Sequence, residues 1–256
     1  MEVFLSVDAW VALLTLTFLE IVLGIDNIIF ISIVTGKLPE EKRKKATRIG
    51  LFLAMFMRIA LLFGITLLIA MKAPFFSVDW GWFKASFTGQ AVILLVGGIF
   101  LIYKSTKEIH EKVDHKGEEE LALKPSGAKT FGSVLIQILM IDIIFSVDSI
   151  LTAVGMTNGV EGALTIMITA VVISVGVMML FAVPVGNFVN KNPSIQILGL
   201  AFLILIGFML TTESMHLSHA VLAGEEIGAV PKGYLYFAIA FSLGVEFLNM
   251  KMRKKS

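Results

Sequence analysis

The chain has 256 residues, of which 57% are hydrophobic and only 16% charged, and its formal net charge is +1. A soluble domain usually carries about 45–50% apolar and about 25% charged residues, so the composition excludes an ordinary soluble protein. The chain has no cysteine, which excludes disulfides, thiolate metal sites and redox chemistry on sulfur.

Apolar blocks long enough to cross a hydrocarbon core of about 30 Å as helices recur along the chain. The first ten residues contain no Lys or Arg, so they lack the basic region of a signal peptide, and we expect the first span to be retained. The predicted fold is therefore an all-α membrane protein with seven transmembrane helices. They are expected at about 9–34, 48–71, 88–103, 131–154, 162–185, 195–212 and 234–250.

Basic residues are concentrated in alternate links between the predicted spans. Lys and Arg crowd residues 37–48, 104–129 and 251–255, and Lys191 lies in the link between the fifth and sixth spans. The links on the opposite side hold only Lys72, Lys84 and Lys232. Cationic loops are retained on the cytoplasmic side of a membrane. The pattern predicts a multi-pass protein with its N-terminus outside and its C-terminus in the cytoplasm.

Two apolar runs contain carboxylates at matching positions. "LEIVLGIDNIIF" at 19–30 lies in the first span, and "MIDIIFSVDSIL" at 140–151 lies in the fourth, which would cross the membrane in the opposite sense. Their alignment pairs Glu20 with Asp142, Asp26 with Asp148, and Asn27 with Ser149.

This match predicts an inverted three-plus-three repeat, an arrangement that places a substrate site near the midplane in many secondary transporters. The whole chain, 1–256, would then be a single transmembrane domain. Its parts would be repeat 1 (about 9–103), a cytoplasmic loop (104–129), repeat 2 (about 131–212) and an extra C-terminal helix (about 234–250).

The intramembrane carboxylates point to a cation site. A charge at mid-membrane costs at least roughly 2.5–3.5 kcal/mol on insertion scales, and such residues are functional by default. Arg58 is the one candidate counter-ion within a span. Because the donors are carboxylate, amide and hydroxyl oxygens, a hard divalent cation such as Mn²⁺, Mg²⁺ or Ca²⁺ is favoured.

The six-residue spacing within each motif leaves two geometries open. Positions six apart on a regular helix face different directions. Either the helices unwind near Gly24 and Ser146, so that all four acids converge on one site, or two sites are stacked along a pathway.

Other features suggest no enzymatic activity. There is no Walker loop, Rossmann glycine motif or Ser-His-Asp constellation, so ATP-driven pumping is not supported and no prosthetic group is expected. An intramembrane aspartyl protease is the alternative from another class, because it too needs two intramembrane aspartates. Glu213, His216 and His219 follow the sixth span, and their role stays open.

The two acidic motifs, together with "PKGYLYFAIAFSLGVEFLN" near the C-terminus, resemble the TerC family of integral membrane proteins. The closest likeness is to its short bacterial branch without CBS domains, and the family is grouped with LysE-type exporters. Many members continue the second motif as "DSIPA", whereas this chain has "DSILT".

The resemblance implies a bacterial inner-membrane protein that exports Mn²⁺, with the lipid bilayer and the metal as its partners. It also leaves open an adaptor that supplies metal to exported metalloenzymes or contacts the secretion machinery; no nucleic acid is expected. We expect a proton-coupled secondary exporter. Its metal-site residues would be Glu20, Asp26, Asn27, Asp142, Asp148 and Ser149.

Overall fold

The computed structural model describes residues 6–64, 74–118, 130–157 and 159–253, apart from the side chains of residues 26 and 115–118. Seven helices in these ranges are long and apolar enough to cross a membrane, which confirms the predicted fold class. They are α1 (Val7–Gly36), α2 (Glu40–Phe63), α3 (Gly89–Glu118), α4 (Phe131–Met156), α5 (Ala163–Lys191), α6 (Pro193–Leu217) and α7 (Lys232–Arg253).

Polar residues mark several of the helix starts. The Ser6 hydroxyl accepts a hydrogen bond from the backbone N–H of Ala9 at the start of α1, and the Thr130 hydroxyl accepts one from Ser133 at the start of α4. These bonds satisfy amide groups that have no partner within the first helical turn. Pro193 occupies the first turn of α6, where its missing N–H costs nothing.

α2 and α3 differ most in extent from the sequence prediction, and α5 and α6 also end later than predicted, at Lys191 and Leu217. α2 begins at Glu40 rather than near 48, so its first turns carry the basic residues, while the predicted stretch 65–71 lies outside the described residues. α3 continues to Glu118, so residues 104–118 of the predicted loop are helical. The segment was predicted to be a loop because its composition is hydrophilic. It continues the helix because one of its faces is buried, as the spacing of Leu101, Ser105 and Glu108 shows.

The chain forms two compact units. Unit 1 contains α1, α2, α4 and α5, and unit 2 contains α3, α6 and α7. Each predicted repeat therefore contributes helices to both units. Within unit 1, α1 packs on α5 and α2 packs on α4. The predicted repeat makes α1 correspond to α4 and α2 to α5, so each of these helix pairs corresponds to the other. This pairing is compatible with the repeat, while the inversion itself stays a prediction.

The helix pair at the centre of unit 2 crosses at glycines. A Cβ added to Gly98 of α3 would lie 2.6 Å from the Gly207 carbonyl oxygen, and one added to Gly207 would lie 2.7 Å from the Gly98 carbonyl oxygen. The lack of a side chain at both positions allows the two backbones to touch, as is common where membrane helices associate.

Unit 2 also contains a small four-stranded sheet, which the sequence analysis did not foresee. Its strands are β1 (Pro74–Asp79), β2 (Phe83–Thr88), β3 (Val221–Leu222) and β4 (Glu225–Glu226), paired antiparallel in the order β1-β2-β3-β4. β2 leads directly into α3. The sheet therefore joins the start of α3 to the segment after α6.

The β1–β2 turn is closed by local hydrogen bonds. The Asp79 carboxylate accepts a hydrogen bond from the backbone N–H of Gly81, which has a φ of 79°, and pairs with Lys84 at 3.0 Å. These contacts lower the pKa of Asp79 below its usual value, with the Gly81 hydrogen bond as the larger cause. Trp80 and Trp82 flank the glycine and are exposed.

Candidate functional site

A buried arginine in unit 1 connects two of the predicted carboxylates. Arg58, on α2, is only 4% exposed, and Glu20 and Asp142 are 6% and 4% exposed. Its Nη1 pairs with Oε2 of Glu20 on α1, and its Nη2 donates to Oδ1 of Asp142 on α4 at 2.8 Å. Three helices thus meet around one guanidinium.

Asp142 receives further hydrogen bonds, so that both of its oxygens are engaged. Nε of Arg58 lies 3.1 Å from Oδ1 and 3.3 Å from Oδ2. Nδ2 of Asn27 donates to Oδ1 at 3.0 Å, and the Ser146 hydroxyl donates to Oδ2 at 3.3 Å. Asp142 is therefore the most heavily hydrogen-bonded member of this cluster.

Ser146 joins this cluster through a role that the sequence analysis missed. From the sequence, Ser146 was expected only to be a place where α4 could unwind. Its position four residues after Asp142, on the same helical face, was the signal for a contact with that carboxylate.

The predicted local unwinding does not occur. α1 is helical across Gly24, and α4 is helical across Ser146. Gly24 serves close packing instead, because a Cβ there would overlap the Met178 side chain of α5. With α4 regular, Asp142 and Asp148 face different directions. This geometry favours the alternative in which the carboxylates do not all converge on one site.

The remaining predicted ligands are Asp26, Asp148 and Ser149, of which Ser149 is bonded to the backbone of Ser146, a member of this cluster. Asp148 is half-buried and has another partner, while its backbone carbonyl accepts a hydrogen bond from Thr152. The Ser149 hydroxyl donates to the Ser146 carbonyl oxygen of its own helix. The Asp26 side chain lies outside the described residues, although its backbone belongs to α1.

The charge network (Glu20, Asn27, Arg58, Asp142 and Ser146) supplies donors suited to a hard cation. Carboxylate, amide and hydroxyl oxygens are the groups that Mn²⁺, Mg²⁺ and Ca²⁺ prefer. Within the described ranges, however, no group of three or more His, Cys, Asp or Glu side chains is arranged to hold a metal ion. In this conformation the guanidinium of Arg58 occupies the space between the two carboxylates.

Glu213 and His216, predicted to follow the sixth span, lie in the last turns of α6, and His219 follows the helix. Among the described residues they do not form a metal-holding group. His219 has a φ of 47° and its Nδ1 lies 3.5 Å from Oε1 of Glu226 on β4. His216 is half-buried, and its Nδ1 has no hydrogen-bond partner among the described residues. Glu213 shares a helical face with His216, without a third ligand alongside.

Comparison with known proteins places the chain in a family. The model of the integral membrane protein TerC family matches residues 5–255. The chain belongs to the TerC family. Among its TerC relatives, a "UPF0053 inner membrane protein YgdQ" of Escherichia coli (strain K12) is 48% identical over 249 residues, which cover 97% of this chain and 95% of the relative.

Two further relatives match nearly the whole of this chain. A "UPF0053 protein" of Haemophilus influenzae is 45% identical over 247 residues, covering 96% of this chain and 95% of the relative. The "UPF0053 inner membrane protein YoaE" of Escherichia coli (strain K12) is 41% identical over 254 residues, which are 99% of this chain but only 45% of that longer protein. No solved structure matches the chain.

Proposed function

We propose that this TerC protein is a secondary transporter that exports a hard divalent cation, with Mn²⁺ as its cargo, from the cytoplasm. The observation that carries the proposal is the charge network, which buries two carboxylates and one guanidinium between three membrane-spanning helices. Such residues are expensive within a bilayer, and they commonly mark ion pathways.

Arg58 acts in this proposal as a resident cation that competes with the transported ion. Glu20 and Asp142 carry two negative charges when both are ionised, and the one guanidinium neutralises one of them. A divalent ion between the same carboxylates would neutralise both. Binding of the divalent ion therefore requires the Arg58 side chain to withdraw. After the ion is released, the return of Arg58 would prevent two uncompensated carboxylates from facing each other in a medium of low dielectric constant.

Protons would supply the driving force. After the metal leaves and Arg58 returns, two carboxylates and one guanidinium carry one surplus negative charge, which a proton would neutralise. Exchange of one Mn²⁺ for protons from the outer side would keep the site close to neutral at each stage. The same reasoning predicts that acid on the outer side promotes metal release.

The network argues against the aspartyl protease alternative. A protease dyad needs two carboxyl groups that share one proton, so that one is neutral and the other ionised. Glu20 and Asp142 are instead bridged by Arg58, so this pair does not have the arrangement of such a dyad. The adaptor alternative differs in its readout, because an adaptor would change metal loading of exported enzymes without lowering the metal content of the cytoplasm.

Metal content of challenged cells tests the proposal. A strain that lacks the protein is complemented with wild type, Glu20→Gln, Asp142→Asn or a matched control, and cellular Mn²⁺, Ca²⁺ and Mg²⁺ are measured under excess Mn²⁺. The control is Thr15→Val, because Thr15 lies on α1 and its exposed hydroxyl bonds only its own helix at Val11. Wild type and control should lower cellular Mn²⁺, and the two carboxylate variants should not. Full export by both carboxylate variants would contradict the proposal.

A further inference from the structure

A polar cavity lies at the end of unit 1 that carries the basic residues. It has a volume of about 190 Å³ and is bounded by the end of α1, the start of α2 and the end of α5. The cations on its wall are Arg43 and Lys44, and the amides are Asn187 and Asn190. It is separate from the charge network, with which it shares no residue.

The hydrogen-bonding capacity of this wall consists mainly of donors. Thr35 and Thr47 also line the cavity, but their hydroxyls donate to the carbonyl oxygens of Ile31 and Arg43 on their own helices. The guanidinium, the ammonium group and the Asn187 amide provide the remaining N–H groups, while Asn190 has an interaction of its own. Glu40 is the one carboxylate among the lining residues. Two cations therefore face one anion, which disfavours a metal ion and favours an anion.

Two side chains of the wall are held in place by the fold. Nε of Arg43 donates to the Leu38 carbonyl oxygen at 2.8 Å, and the two terminal nitrogens of this guanidinium have no other partner among the described residues. Asn190 lies against Gly36, where a Cβ would overlap its amide group. Because α1 ends at Gly36 and α5 ends at Lys191, the ends of the two helices fix the amide beside the basic start of α2.

We propose that this cavity binds a phosphate-bearing anion. A guanidinium with two available nitrogens matches the geometry of phosphate oxygens, and an ammonium group adds a point charge beside it. Since a water molecule takes about 30 Å³ of liquid volume, the cavity has room for one phosphoryl group and a few waters. The phosphoryl group comes either from the headgroup of an anionic phospholipid, as basic pockets between membrane helices accept, or from free phosphate.

The proposal is independent of the transported ion, and the basic run at the start of α2 provides its own control. Lys42 and Lys45 flank Arg43 and Lys44 in sequence, are exposed, and do not line the cavity. Two double variants therefore remove the same charge from the same helical turns. The cavity pair is Arg43→Gln with Lys44→Gln, and the control pair is Lys42→Gln with Lys45→Gln. Only the first of them changes the cavity wall.

The experiment measures binding to purified full-length protein in detergent. One arm titrates inorganic phosphate, and the other titrates phosphatidylglycerol against phosphatidylcholine, with bound lipid counted by native mass spectrometry. Wild type and the control pair should bind the anionic probe equally, and the cavity pair should bind it at least tenfold more weakly. Preference for phosphatidylglycerol with no phosphate binding would assign a lipid headgroup, and saturable phosphate binding would assign a soluble anion.

A single variant tests the proposal if the cavity pair does not fold. Asn187→Leu removes one amide donor from the wall at an exposed position, so it should fold and still weaken binding. The proposal is overturned if wild type binds neither probe. It is also overturned if the control pair loses as much affinity as the cavity pair, since binding would then follow net charge rather than the cavity.

Discussion

Replacing Arg58 by glutamine should destabilise the protein strongly in the absence of metal. The guanidinium makes hydrogen bonds of 2.8, 3.1 and 3.3 Å to Asp142 and pairs with Glu20, and all three residues are buried. Removing one partner of a buried ion pair costs about 3–5 kcal/mol, because the other charge stays behind uncompensated. At about 2–4 °C per kcal/mol for a chain of this size, Tm should fall by roughly 6–20 °C.

The assay is thermal unfolding in detergent, with Arg48→Gln as the matched control. Arg48 lies on the same helix but is exposed, so its loss should change the unfolding free energy by no more than about 0.5 kcal/mol. Equal unfolding temperatures for the two variants would refute the reasoning, because Arg58 would then not compensate the carboxylates.

Metal should reverse part of this loss. In Arg58→Gln the site holds two carboxylates without their competing cation, so Mn²⁺ should stabilise this variant more than it stabilises the wild type. A ligand at 100 times its Kd adds about 2.7 kcal/mol of stability. A variant that is destabilised but gains nothing from Mn²⁺ would mean that the carboxylate pair does not bind the metal.

Three further outcomes follow from other contacts. Asn27→Leu removes a hydrogen bond to a buried carboxylate, so it should lower the free energy of chemical unfolding by about 1.5–3 kcal/mol and reduce Mn²⁺ export. Unchanged stability and unchanged export would exclude Asn27 from the site. Gly98→Val should lower the free energy of unfolding by about 1–3 kcal/mol or more, because the new side chain forces α3 away from α6. Gly176→Ala should leave it unchanged, since there is open space around Gly176, and equal stabilities of the two variants would contradict the close crossing. Single cysteines at Lys44 and Asp79, in a chain without native cysteine, should react with impermeant reagents from opposite sides of the membrane; reaction from one side would refute the predicted topology.

The helical spans could be predicted from the sequence because their signal is strong and local. Each span is a long apolar block, and length alone distinguishes it from a buried helix of a soluble protein. The ends were less predictable. α3 continues through a charged segment because one stripe of that segment is buried, and average composition does not reveal a stripe.

The members of the charge network could be named from the sequence, but their pairing could not. Arg58 was the one cation within a span, so a partnership with some of the acids could be expected. Which acids it meets depends on the phase of each helix and on how α1, α2 and α4 pack, and these are tertiary properties. Glu20 and Asp142 both contact Arg58, whereas Asp148, six residues from Asp142 on a regular helix, faces another direction.

The small sheet of unit 2 illustrates a second limit of sequence reasoning. β1 and the turn that follows it contain exposed aromatic residues next to apolar spans, and this composition resembles a membrane-interface loop. β3 and β4 have only two residues each. β3 pairs with β2 across more than a hundred residues of sequence, and β4 pairs only with β3, so no local pattern predicts that this short hairpin extends the sheet.

The central claim is that the charge network moves a divalent cation, and flux through purified protein tests it most directly. Wild type and Asp142→Asn are reconstituted into proteoliposomes, and internal Mn²⁺ and internal pH are followed together with and without a pH gradient. The account predicts Mn²⁺ flux in the wild type that is accompanied by opposite proton movement, speeds up with the gradient, and is lost in Asp142→Asn. Mn²⁺ flux of equal rate in both proteins, or none in either, would contradict it.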